Sequence, residues 1–169
     1  LMQHEGTLEA LDNPRYRAKR ILLPLVSNFL SLGNYKLIPY VFVILNSIGI
    51  LAIFFLFYSI HRNKQSYYFL TLAIPGIWIV LRISTAEIIA NTLILTSYFF
   101  IQHKKVYTSF LFLMLACLTK ETMIIFPVSY GLVFLIKKDF KKIFALAFFF
   151  IPFYIWHIYL INKFGLGGD

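Results

Sequence analysis

Lys120 and Glu121 stand side by side in Leu118-Thr119-Lys120-Glu121-Thr122, between two apolar runs at 107–118 and 123–136. As helices of 12 to 14 residues, these runs reach about 18–21 Å, short of the roughly 30 Å of a hydrocarbon core. If both lie in a membrane, the turn between them is drawn toward membrane depth. Ionisable groups there are costly and tend to face a cavity or a partner. An ammonium at that place suits a phosphate, and a carboxylate suits an arginine or another base. The plainer reading is a tight helical hairpin, with Thr119 capping the second helix and Glu121 in its first turn. Adjacent helical residues point about 100° apart, so the two side chains serve different partners. A structural ion-pair network accounts for both equally well.

Other charges fall into a few short clusters. Arg15, Arg17, Lys19 and Arg20 can hold a phosphate or diphosphate, because arginine forks match phosphate oxygens. They can equally hold an interfacial helix against anionic headgroups. Ser84-Thr85-Ala86-Glu87 has the spacing of a capping box, or Glu87 is a carboxylate at the mouth of a cavity. Arg82 can pair with Glu87 or with Glu121. Glu5, Glu9 and Asp12 are the acids near the start of the chain. His4, His61, His103 and His157 share no metal-ligand spacing, and no phosphate-binding glycine loop or nucleophile elbow occurs. The residues therefore indicate no metal and no cofactor. Cys117, the one cysteine, reads as a small packing residue. Asn46-Ser47 and Asn91-Thr92 read as interhelical hydrogen-bonding pairs.

The elements that must position these residues are set by composition. Of 169 residues, 60% are hydrophobic and 14% charged, with mean hydropathy +0.77. Soluble domains sit near 45–50% apolar and about 25% charged, so the chain reads as an all-α, multi-pass transmembrane helical bundle. A net charge of +9 would point to nucleic acid in a soluble chain. Here the basic residues sit between apolar runs, as topology signals and anionic-lipid contacts do, so no nucleic-acid partner is expected. Six spans are predicted, over 38–60, 67–81, 86–101, 107–118, 123–136 and 143–161. Residues 1–37 form an outer loop. Within it Ile21, Leu22, Leu25, Phe29 and Leu32 make one apolar stripe, an interfacial amphipathic helix too short to span. Pro24 starts or kinks that helix, and Gly33-Asn34 stops it.

The basic connections at 61–65, 102–105 and 137–142 face the cytoplasm by the positive-inside rule. Residues 1–37, the 82–87 and 119–122 hairpins and residues 162–169, the start of the next loop, then face outside. The basic residues of 15–20 lie outside against that rule, and phosphate binding is a natural reason. The sequence reads as a fragment, with helices expected on either side. A non-catalytic membrane protein, a transporter or an assembly subunit, is the rival reading. Transporters commonly show matched inverted halves, and no matched halves are detectable.

Three segments, in this order, resemble the polytopic GT-C glycosyltransferases, in particular bacterial members related to mannosyltransferases and other polyprenyl-phosphate-sugar-dependent enzymes. Asn13-Pro14-Arg15-Tyr16-Arg17-Ala18-Lys19-Arg20-Ile21-Leu22-Leu23-Pro24-Leu25 is similar to a stretch in their first outer loop. Leu118-Thr119-Lys120-Glu121-Thr122 is similar to their turn between two short helices. Ile151-Pro152-Phe153-Tyr154 through Phe164-Gly165 is similar to a helix and following outer loop. The resemblance implies transfer of a sugar from a polyprenyl-phosphate donor to an acceptor glycan, lipid or protein on the outer side of a bacterial inner membrane. It implies a carboxylate base in the first outer loop, for which Glu5, Glu9 and Asp12 are the acids present. The family's first helix and the acid after it fall before or at the start of this sequence. It also implies donor-phosphate contacts from Arg15, Arg17, Arg20 and Lys120, with Arg82, Glu87 and Glu121 shaping the site.

Overall fold

A computed structural model describes residues 20–60 and 86–164 of the chain. The expected span at 67–81, the Ser84-Thr85 pair, Arg82, Glu5, Glu9, Asp12, Arg15, Arg17 and residues 165–169 lie outside the described residues. Within them the chain is helical, with no strand. The helices are α1 (Leu22–Leu30), α2 (Ile38–Ile60), α3 (Glu87–Gln102), α4 (Val106–Thr119), a 3-10 turn (Glu121–Ile124), α5 (Ile125–Ile136), α6 (Phe140–Phe149) and α7 (Ile151–Phe164). Helices therefore cover the residues of the first, third, fourth and fifth expected spans, within a residue or two at most ends. Among the described residues one helix, Ile38–Ile60, is by itself long and apolar enough to cross a membrane.

The sixth expected span is not one helix. Residues 140–149 and 151–163 form two helices bent by 45° at Phe150, which only together are long and apolar enough to cross. Hydropathy is continuous through the bend and cannot show it. Pro152 can: it sits in the first turn of α7, where a missing N–H does no harm, but it cannot bond back into α6.

Helix α4 organises the rest. It packs against α1, α3, α5, α6 and α7. Its Phe110, Leu113, Ala116 and Cys117 are fully buried. Phe110 takes Phe134 of α5 edge-on at 5.9 Å and Phe149 of α6 at 6.2 Å between ring centroids, the geometry aromatic quadrupoles favour. Helices α3 and α4 run antiparallel. Ser97, in the second half of α3, and Ser109, in the first turn of α4, meet through their hydroxyls at 2.7 Å, and the start of α3 meets the end of α4. Helix α2 meets the first turns of α3 at Gly49. A Cβ there would lie 2.8 Å from Ile88 Cγ2. The missing side chain lets Thr92 Oγ1 donate to the Gly49 carbonyl at 3.1 Å as well as to that of Ile88 at 2.7 Å. Small residues permit such close helix approach where no hydrophobic force separates helix from solvent.

The expected interhelical role thus holds for Thr92 and fails for its partners. Ser47 bonds within its own helix, to the Val43 carbonyl. Asn91 is exposed, and the buried Asn46 side chain has no hydrogen-bond partner among the described residues.

Three helices end in the same way. Leu32, Lys104 and Lys138 adopt left-handed backbone conformations, with φ of 51°, 59° and 54°. After each, the next amide reaches back six residues inclusive: Gly33 to Asn28, Lys105 to Phe100, Asp139 to Phe134. These are Schellman closures. Gly33, at φ 77°, helps stop α1 as expected, but the closing residue is Leu32. Two of the closures place lysines in the turns. Phe110, in the second turn of α4, meets Phe134 in the last turn of α5, so the 103–105 and 137–139 turns lie at one end of the molecule. Lys104, Lys105, Lys137, Lys138 and Lys141 are all exposed there. Asp139 begins α6 and accepts from Lys142 Nζ at 2.5 Å, and that hydrogen bond holds its carboxyl below the usual range.

Beside the apolar core, several polar residues are buried and many large apolar ones are exposed. Ser27, Ser31, Asn46, Ser97, Ser109 and Thr119 are buried, while Ile44, Leu51, Phe55, Leu132, Phe144 and Phe148 are exposed. Helix α1 follows the same pattern. It turns Leu23, Ser27 and Ser31 inward, while Leu25, Phe29 and Leu32 of the predicted stripe are 57, 77 and 94% exposed.

Candidate functional site

The end of the bundle opposite the lysine turns holds a charged pair between residues 33 positions apart. Lys120 Nζ lies 2.6 Å from Glu87 Oε1, close enough for a charge-assisted hydrogen bond. The lysine side chain is 18% exposed and the glutamate side chain 37%, so one edge of the pair reaches the surroundings.

Both partners are held by backbone. Lys120 leaves α4 in an extended conformation, φ −149° and ψ 118°. Its N–H still bonds to the Ala116 carbonyl, and its own carbonyl accepts from Met123. It therefore closes one helix and opens the next turn, which fixes where its side chain starts. Thr119 does not cap the following turn, as the hairpin reading required. It is the last residue of α4, buried, and its hydroxyl donates back to Leu115 at 2.8 Å. A threonine inside a helix commonly takes this bond to the preceding turn in place of a cap. Lys120 takes the capping position without a side-chain cap.

Glu87 opens α3, where the helix dipole favours a carboxylate. The residue in the flanking cap position is Ala86, in a helical conformation and without a side-chain cap. The carboxylate bonds across to Lys120, where a capping box would turn it back on its own helix. The sequence offers Arg82 as a partner for Glu87 and a phosphate as a partner for Lys120. Sequence spacing alone cannot choose among the pairings of Arg82, Glu87, Lys120 and Glu121. The antiparallel α3–α4 register, in which Ser97 meets Ser109, brings Glu87 to Lys120.

Of the remaining candidates, Glu121 opens the 3-10 turn, half-buried beside the pair. Arg20 is half-buried at the entry of α1, which packs on α2 and on α4. Arg15, Arg17, Arg82, Glu5, Glu9 and Asp12 lie outside the described residues. His157 stacks on Phe153 at 5.5 Å, and His103 bonds to the carbonyl of Phe99 at 2.9 Å. Among the described residues no three His, Cys, Asp or Glu side chains group so as to hold a metal.

One residue that reads as an interhelical hydrogen-bonding partner is found elsewhere than in such a bond. Asn46 is fully buried on the Asn46–Gly49–Ile53–Leu56 face of α2. A lone asparagine in a long apolar helix was the available signal, because buried amides are expensive in hydrocarbon.

The chain matches no protein-family model, no curated protein and no solved structure. The likeness to GT-C enzymes rests on the three sequence segments.

Proposed function

We propose that this chain is part of a multi-pass membrane glycosyltransferase of the GT-C kind. It moves a sugar from a polyprenyl-phosphate donor to an acceptor on the non-cytoplasmic side of a bacterial inner membrane. The observation that carries the reading is the Lys120–Glu87 pair. It sits in the segment that resembles the family's inter-helical turn, and at the end of the bundle away from the exposed lysines. The positive-inside rule puts those lysines in the cytoplasm and the pair outside. The buried hydroxyls and exposed Leu, Ile and Phe favour a hydrocarbon surrounding over water, and so support a bundle of several spans around α4. The exposed stripe of α1 suits the membrane interface.

In this mechanism an acceptor hydroxyl attacks the anomeric carbon of the donor. Its oxygen forms the new bond as the bond from that carbon to the phosphate oxygen breaks. The departing phosphate carries the electron pair, and cationic side chains stabilise it. Lys120, with Arg15, Arg17 and Arg20, takes that role. A carboxylate takes the hydroxyl proton: Glu5, Glu9, Asp12 or an acid upstream. Glu87 holds Lys120 in place and neutralises it before the donor arrives, while Arg82 and Glu121 shape the surrounding site.

Substituting Lys120 by Ala in the full-length protein is expected to lower sugar transfer at least 100-fold, about 2.7 kcal/mol of lost transition-state stabilisation, while the protein remains inserted and folded. Transfer at the normal rate would remove Lys120 from the site.

A further inference from the structure

Five lysines crowd the end of the bundle opposite the ion pair. Lys104 and Lys105 lie in the turn from α3 to α4. Lys137 and Lys138 lie in the turn from α5 to α6, and Lys141 in the first turn of α6; all five are exposed. The two turns are held at one end by Phe110 and Phe134, whose ring centroids lie 5.9 Å apart. Among the described residues none of the five ammonium groups has a hydrogen bond or an ion pair. The one described acid at this end, Asp139, is taken by Lys142. That ammonium lies 2.5 Å from Asp139 Oδ2 and 5.7 Å from the centre of the Phe134 ring. Glu87 and Glu121 belong to the opposite end. The charge of the five lysines is therefore left uncompensated by the described acids.

Marking membrane orientation needs only positive charge in these turns. It does not need the charge placed against backbone strain. Lys104 and Lys138 hold left-handed conformations, with φ of 59° and 54°, where glycine is the ordinary occupant. Strained residues of this kind gather at ligand clamps and other functional sites. Each strained lysine also has a second beside it, so each closure presents a pair, Lys104–Lys105 and Lys137–Lys138. Tyr107, Phe140 and Phe144 are exposed next to the turns, as aromatic side chains are at headgroup level. An acidic protein would match the lysines and not the rings, and so would a free anion. A leaflet of anionic phospholipid matches both, with phosphates on the ammonium groups and the headgroup boundary on the rings.

We infer that the 104–105 and 137–141 segments form a docking surface for the phosphate headgroups of anionic phospholipids in the leaflet they face. This surface needs the bundle to sit in a membrane and owes nothing to sugar transfer at the other end, so it stands or falls apart from the proposed function. Attraction between exposed lysines and headgroups is screened by salt, which separates it from contact with the acyl chains.

The test follows the thermal unfolding midpoint of the full-length protein in neutral detergent as lipid is added to the micelles, since a ligand that binds only the folded state raises it. Phosphatidylglycerol is expected to raise the wild-type midpoint, and phosphatidylcholine at the same content to leave it unchanged. Salt at about 1 M, where the Debye length is about 3 Å, is expected to remove most of the rise. The double variant Lys104→Gly, Lys138→Gly is expected to start from a higher midpoint without lipid, because strain is relieved, yet to show at most about half of the wild-type rise. Gln at all five positions is expected to abolish the rise, and Arg at all five to keep it. A rise that survives Gln at all five positions, or a full rise in the double glycine variant, would overturn the surface. So would an equal rise with phosphatidylcholine, or none with phosphatidylglycerol. An equal rise with inorganic phosphate would show an anion site without a lipid and overturn it as well. A rise lost in Lys120→Ala and kept in the five-position Gln variant would place the lipid at the ion pair, and overturn the surface while leaving the proposed function standing.

Discussion

At the scale of single residues, the Lys120–Glu87 pair decides what the site can do. A 2.6 Å contact with the lysine mostly covered is stronger than a surface ion pair, and breaking it leaves a charge in a poorly hydrated place. The carboxylate also competes with any phosphate for the same ammonium. Glu87→Gln keeps the shape, can still accept a hydrogen bond, and removes that competition. It is expected to lower stability by about 1 kcal/mol and at the same time to tighten polyprenyl-phosphate binding severalfold. Unfolding in mixed micelles and a lipid-binding titration check the two halves. A loss of stability without a gain in lipid affinity would make the pair a structural brace only. The sequence showed each of these charges and not their pairing. Glu87 read as a cap because Ser84 stands three residues before it. Thr119 read as a cap because hydroxyl residues are good ones. Both readings are local, and a contact spanning 33 residues overrode them.

At the scale of elements, α2 meets α3 at Gly49 with no room for a side chain. An added methyl at Gly49 would meet Ile88 Cγ2 at 2.8 Å, Ile89 Cδ1 at 3.2 Å and Thr92 Oγ1 at 3.3 Å. The nearest of these is the short branch of a β-branched side chain, which is stiff. Gly49→Ala is expected to destabilise by about 1–3 kcal/mol, read as a lower unfolding midpoint, and Gly49→Val by more. The helix ends give the opposite sign. Lys138 holds a left-handed backbone at φ 54°, which costs a non-glycine residue about 1 kcal/mol. Lys138→Gly is therefore expected to raise the midpoint, while Lys138→Ala leaves it near wild type. Equal midpoints for Gly and Ala would show that the backbone there carries no strain. Helix identity was legible because apolar runs of 12 to 23 residues, bounded by charge, leave little choice. The bend at Phe150 was not, because α6 and α7 are equally apolar and Pro152 alone marks the join.

At the scale of the whole molecule, charge and polarity are sorted along and across the bundle. Exposed lysines gather in the two turns at one end, the ion pair closes the other, hydroxyls and an amide lie inside with the apolar core, and further aliphatic and aromatic side chains lie outside. Composition made the apolar helices legible, because a chain 60% hydrophobic forms long apolar runs, one of which, Ile38–Ile60, is long and apolar enough to cross a membrane. It could not say which polar residues meet, since burial of Asn46, Ser97 and Ser109 depends on the rotation of each helix, which a uniformly apolar sequence does not encode. The central claim is that the ion-pair end receives a lipid-linked phosphate. Saturable binding of a polyprenyl phosphate to the full-length protein tests it most directly, comparing wild type with Lys120→Ala and Arg17→Ala. The account predicts saturable binding by the wild type and at least a 10-fold loss in each variant, since each removes a charge-assisted contact worth about 1.5–3 kcal/mol. Equal binding by all three, or no binding by the wild type, would contradict it and leave these charges as topology and packing devices.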